Sequence, residues 1–206
     1  MPSQLRCKDL QAGDIMVKVN DGSLVNNLIA KGQALFREKN PDITHAGIMF
    51  DSTYIVEAQG SGVVANDLRV GDLKNNYYVY RCANTDMAKG AGTCAKMMFD
   101  IHAQTGSLKY GLLDAIKSIF GSKGTPLTPN HMDQLLTRIL EGREQKFFCS
   151  QFVVYVYQFV AEQMGISASD VFATKDAKVS TSELPALLGA KPALFSEIGW
   201  VLANER

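Results

Sequence analysis

The stretch QKFFCSQFVVYVYQ, residues 145–158, constrains this chain more than any other. A charged run ends there and gives way to two phenylalanines, Cys149, Ser150 and a long apolar segment. Phe152, Val153, Val156, Phe159, Val160 and Met164 recur at i, i+1, i+4, i+7, i+8 and i+12, the spacing of one helical face. The valines favour a strand, but strict alternation is absent and the run is too long for one. The spacing predicts a buried helix over residues 150–164, with Cys149 at its N-terminus and Gly165 as its stop.

A cysteine at such a boundary has two readings. Free cysteine packs as a small hydrophobe. At a helix start it is also a candidate nucleophile, because the backbone N–H groups there stabilise a thiolate. The neighbouring Ser150 reads as a helix cap.

The chain has 206 residues, which suits one domain with a sizeable core or one domain with an insertion. Its 21 basic and 21 acidic residues cancel, so bulk attraction to nucleic acid or to an anionic membrane is not expected. No apolar run is long enough to span a bilayer. The opening MPSQLRCKDLQAGD lacks the apolar centre of a secretory signal, which implies synthesis in the cytoplasm and leaves export by a specialised secretion system open. Cys7, Cys82, Cys94 and Cys149 form no CxxC pair, and only His45, His102 and His131 accompany them, so neither a metal nor a cofactor is expected.

Along the chain, residues 15–19 predict a short strand and residues 23–40 an amphipathic helix with Ser23 as its cap. THAGIMFDSTYIVEAQGSGVVANDL predicts two strands, a tight turn and a third strand. YYVYRC predicts another strand, and residues 86–103 a helix with Met97, Met98 and Ile101 inward. Two amphipathic helices separated by a loop are expected within residues 105–145. A short helix near residues 182–188 precedes LFSEIGWVL, which closes the sheet. Strands early and helices late predict an α+β class with an antiparallel sheet packed against helices.

A nucleophilic cysteine needs a base, and His45 is the best placed of the three histidines. It begins an apolar strand, and small Ala46 and Gly47 leave space beside the imidazole. His102 lies in the polar tail of a helix, and His131 lies beside a predicted cap. A three-residue turn at 51–53 sets Phe50 opposite Tyr54, Gly47 opposite Glu57 and His45 opposite Gln59. His45, Glu57 and Gln59 then share one sheet face, so either polar residue can orient the imidazole. A two-residue turn reverses that parity. Asp14, after Gly13, reads as a turn residue or a helix-cap partner.

The order of GD-I near the N-terminus, T-H-A-G-I on one strand, V-E-A on the next and F-C-S opening a late helix resembles the circularly permuted NlpC-type papain-like superfamily, and its YiiX/YebB-like branch in particular. In permuted members the histidine strand precedes the cysteine. The resemblance covers residues 10–68 and 147–160 well and residues 109–114 loosely. It implies a single papain-like domain over residues 1–206, with Cys149 as nucleophile at a helix N-terminus, His45 as base and Glu57 as the orienting group. Gln59 and Tyr110, the tyrosine of KYGLLD, are the candidate substrate-binding residues. Two departures stand out. Gln151 occupies the place of a glutamate common in the family, and residues 105–145 look like a helical insertion.

The resemblance further implies a cysteine hydrolase that acts through a thioester on an amide bond, with a peptidoglycan peptide as the favoured substrate. An antibacterial secreted effector fits the missing signal peptide; a cognate inhibitor protein stays unspecified. Two other classes remain. Lecithin:retinol acyltransferase-like relatives act on lipid acyl chains, and the amphipathic YGLLDAIKSIF gives that reading a membrane-facing candidate. A non-catalytic binding module on the same fold is the third.

Overall fold

The structure is a computed structural model and describes residues 3–19, 43–59, 62–70, 76–105, 148–173 and 179–202. The helix expected at 23–40, the two helices expected within 105–145, Tyr110 and His131 lie outside the described residues.

Seven strands form one sheet: β1 (Ser3–Leu5), β2 (Ile15–Val19), β3 (Ile43–Met49), β4 (Tyr54–Gln59), β5 (Gly62–Asp67), β6 (Asn76–Cys82) and β7 (Phe195–Leu202). Their spatial order is β1-β7-β6-β2-β3-β4-β5. The described helices are α1 (Thr85–Thr105), α2 (Phe148–Gln163), α3 (Ala168–Val171) and α4 (Leu184–Gly189). The class is α+β, as expected. The sheet, however, is mixed where the sequence predicts a wholly antiparallel one. β1 runs parallel to β7, with Ser3 opposite Gly199, and every other neighbouring pair is antiparallel. β1 also replaces β7 as the edge of the sheet. Three residues are too few to display a period of two, so this strand carries no signal of its own.

The two faces of the sheet hold separate apolar clusters. Ile15, Val17, Ala46, Ile48, Val56, Ala58, Val63, Tyr80 and Phe195 meet the helices in the main core. Met16, Met49, Ile55, Tyr77, Val79 and Val201 face a smaller cluster, which Leu10 and Leu68 complete. Ile15, Met16 and Val17 are therefore all fully buried, because β2 is central and covered on both sides.

Of the two turn lengths the sequence leaves open, the β3–β4 connection has the three-residue one. Asp51 Oδ1 accepts the N–H groups of Thr53 at 2.7 Å and Tyr54 at 2.8 Å, closing a local Asx turn. Ile48 pairs with Val56 and Met49 with Ile55. That register sets the parity of every side chain along the hairpin.

α1 starts at Asn84, whose Oδ1 accepts the Met87 N–H at 3.0 Å. Met87, Ala91, Cys94, Ala95 and Met98 recur at helical spacing and are fully buried. α2 packs against α1, α3, β3 and β4, and residues from Cys149 to Ala161 are buried on more than one side. This enclosure explains why its valines do not make it a strand: a helix covered all round tolerates β-branched residues that gain from packing. Its end is a Schellman cap. Gly165 adopts φ 77°, its N–H donates to the Glu162 carbonyl, and the Ile166 N–H donates to the Ala161 carbonyl.

The Gly13–Asp14 turn ties the layers together. Gly13 has φ 86°, and a Cβ there would lie 2.2 Å from the Ala88 carbonyl oxygen, so α1 approaches closely only because this residue is glycine. The buried Tyr157 hydroxyl on α2 donates to the Gly13 carbonyl oxygen. Asp14 is buried, receives a two-pronged contact from Arg81 (Nε at 2.8 Å, Nη2 at 2.6 Å) and accepts the Gln11 N–H at 2.8 Å. The turn role expected for Asp14 is thus its structural one. Tyr157→Phe removes the donor and leaves a buried carbonyl without it. We expect a stability loss of about 1–3 kcal/mol in urea denaturation, with an unchanged far-ultraviolet spectrum of the folded protein.

Candidate active site

Cys149 sits in the first turn of α2, one residue inside the helix, and is 5% exposed. The polar run before it ends where the apolar period begins, and this change of pattern puts the thiol at the helix mouth. Ser150 does not cap the helix. It is fully buried, and its hydroxyl donates to the Val179 carbonyl oxygen, which fastens this end of α2 to the segment before α4.

His45 is the third residue of β3 and lies opposite Lys18 of β2. One strand further, Glu57 is buried, with a side chain 4% exposed against 20% for His45. His45 Nε2 lies 3.3 Å from Glu57 Oε1. Neither atom has a hydrogen-bond partner elsewhere among the described residues, so the two buried atoms answer each other as an ion-pair contact, too poorly aligned for a good hydrogen bond. Glu57 Oε2 accepts the Asn66 Nδ2 of β5 at 2.7 Å. The space that Gly47 leaves goes to Glu57 and Ile55: a Cβ on Gly47 would lie 2.8 Å from Glu57 Cγ. The small residue makes room for the Glu57 and Ile55 side chains rather than for the imidazole itself.

Cys149 lies close enough to the His45 side chain to act on its ionisation and completes the group. Burial disfavours the charged imidazole. The electrostatic pull of neighbouring Cys149 and of the Glu57 carboxylate outweighs it and holds His45 well above its ordinary value. Burial likewise opposes ionisation of Glu57, but His45, the Asn66 amide and Lys18 together hold its carboxyl below the ordinary range. The site therefore favours imidazolium beside carboxylate.

Of the residues singled out by sequence, Cys149, His45 and Glu57 converge. Gln59 shares their strand parity, yet it is exposed at the end of β4, paired with Gly62, and the imidazole turns to Glu57 instead. His102 lies against Gly62 at the far end of α1. Asn66 is the residue that sequence reading missed. Its signal is alternation on the third strand: Glu57 pairs with Val64 and Ile55 with Asn66, so Val64 and Asn66 share the Glu57 face. Among the described residues, no cluster of three or more histidine, cysteine or acidic side chains is arranged to hold a metal ion. The chain matches no protein-family model and no curated protein.

The pair also predicts a pH dependence. A raised His45 contributes stability that is complete below its ordinary value of 6.5 and is lost as pH rises through its folded value. A lowered Glu57 contributes stability that is complete above 4.5 and is lost as pH falls through its folded value. Both contributions are complete only between those two ordinary values. His45→Gln should lower the melting temperature most in that window. The difference from the wild type should shrink on the acid side, where Glu57 protonates, and on the alkaline side, where His45 is already neutral. A difference that stays flat from pH 4 to 9 would contradict the pairing.

Proposed function

We propose that this chain is a cysteine hydrolase of the circularly permuted NlpC-type papain-like kind, cleaving an amide bond in peptidoglycan peptides through Cys149, His45 and Glu57. The observation that carries this reading is the convergence of a thiol at a helix start, an imidazole on a strand and a buried carboxylate. A nucleophile, a base and an orienting group brought side by side are the working parts of covalent acyl transfer. The order supports the permuted branch, since the histidine strand β3 precedes the cysteine helix α2.

The chemistry builds on these contacts. The Cys149 thiolate attacks the carbonyl carbon and forms a tetrahedral oxyanion. The helix N-terminus, including the Cys149 N–H, faces the developing negative charge. With Nε2 turned to Glu57, Nδ1 is the nitrogen left for the thiol and the leaving group. Imidazolium His45 protonates the departing amine, the C–N bond breaks and a thioester remains. Water then attacks the thioester as His45 takes its proton, and the acid is released with Cys149 regenerated. Glu57 keeps the ring oriented and stabilises its charge through both proton transfers.

The deciding experiment incubates the protein with purified peptidoglycan and, separately, with phosphatidylcholine vesicles, and identifies products by mass spectrometry. New amino and carboxyl termini in stem peptides are expected. Fatty acid or lysolipid from the vesicles alone would assign the enzyme to lipid acyl chemistry. Cys149→Ala should abolish turnover with the fold intact, while Cys7→Ala, Cys82→Ala and Cys94→Ala retain it. Iodoacetamide should label Cys149 first in the native protein, because burial pushes the other three thiols up, Cys94 to about 12. Glu57→Gln should lower turnover more than Gln59→Ala does; the reverse ranking would reassign the orienting residue.

A further inference from the structure

We propose that Asn66 is a positioning residue of this site, fixing the Glu57 carboxylate so that one oxygen is held for His45. The inference rests on the Cys149–His45–Glu57 reading and extends it outward by one residue and one strand.

A glutamate carboxyl turns easily about its last torsion, which is broad and roughly two-fold. An imidazolium facing one oxygen at 3.3 Å leaves that torsion weakly determined. The second oxygen supplies the missing restraint: Oε2 accepts the Asn66 amide at 2.7 Å, a short charge-assisted hydrogen bond. With Oε2 taken, Oε1 is the oxygen available to His45. The carboxylate thus bridges two strands, β3 through His45 and β5 through Asn66.

The placement of Asn66 fits a positioning role better than a folding one. It is exposed on the edge strand β5, and its amide reaches inward to a carboxylate that is almost wholly buried. An exposed asparagine buries little surface, so the sheet does not need it for packing. The groups facing the pair are Lys18 from β2, Cys149 from α2 and Asn66 from β5, and Asn66 is the one that cannot ionise. It adds direction and a donor without adding charge.

A double-mutant cycle tests this without any natural substrate. Asn66→Ala, Glu57→Gln and the double variant are compared with the wild type. The readouts are the His45 titration midpoint by nuclear magnetic resonance and the rate of Cys149 alkylation by iodoacetamide at pH 7. Asn66→Ala alone should lower the midpoint by about half a pH unit and slow alkylation about threefold, the order expected for one partly exposed charge-assisted bond. In the Glu57→Gln background the same substitution should change neither, since no carboxylate remains to be held. Unchanged readouts in the wild-type background, or equal changes in both backgrounds, would overturn the assignment. His45→Ala separates the two levels: alkylation as fast as in the wild type would refute the thiol–imidazole pairing itself, whatever Asn66 does.

Discussion

The β3–β4 register depends on a single carboxylate in a turn. Asp51 takes up two backbone N–H groups and thereby fixes the connection at three residues. A strand alternates strictly, so one residue more or less would send Glu57 to the opposite face of the sheet. The face of the smaller cluster would then carry Val56 where the carboxylate stands, and the main core would receive an uncompensated charge. Register, burial and the ion pair are one constraint expressed three times.

Charge placed that deeply is expensive unless it is matched. Glu57 has a partner for each of its two oxygens, and His45 lies between Glu57 and Cys149. The Asp14–Arg81 contact obeys another logic. There the fork of a guanidinium meets both oxygens of a buried carboxylate and closes it off. The first arrangement keeps a titratable ring between a carboxylate and a thiol. The second has no proton to transfer, because the guanidinium stays charged, so it serves the fold.

Much of this is legible in the sequence because the decisive patterns are local. The period of 3.6 after Cys149, the alternation flanking a turn-forming Asp51 and the glycine at the helix stop each need only a few residues of context. Those signals locate the Cys149 helix to within about two residues, and with a three-residue turn they set His45 and Glu57 on one face. The features that escape depend on contacts between distant segments. β1 is too short to announce itself and takes its direction from β7. Ser150 resembles a cap because its partner, Val179, is remote in the chain. Asn66 goes unnoticed because its role appears only when the third strand is laid beside the second. Between Glu57 and Gln59, parity cannot choose; burial does.

α2 is held at its mouth by Ser150, along its length by Tyr157 and Gln158, and at its end by the Gly165 cap. A rod fastened at both ends and in the middle neither slides nor rotates without breaking several bonds at once. Its amides should therefore exchange with deuterated solvent only through global unfolding, among the slowest in the molecule. Cys149 is therefore the fixed point of the candidate site, and any rearrangement there falls to the segments that border it.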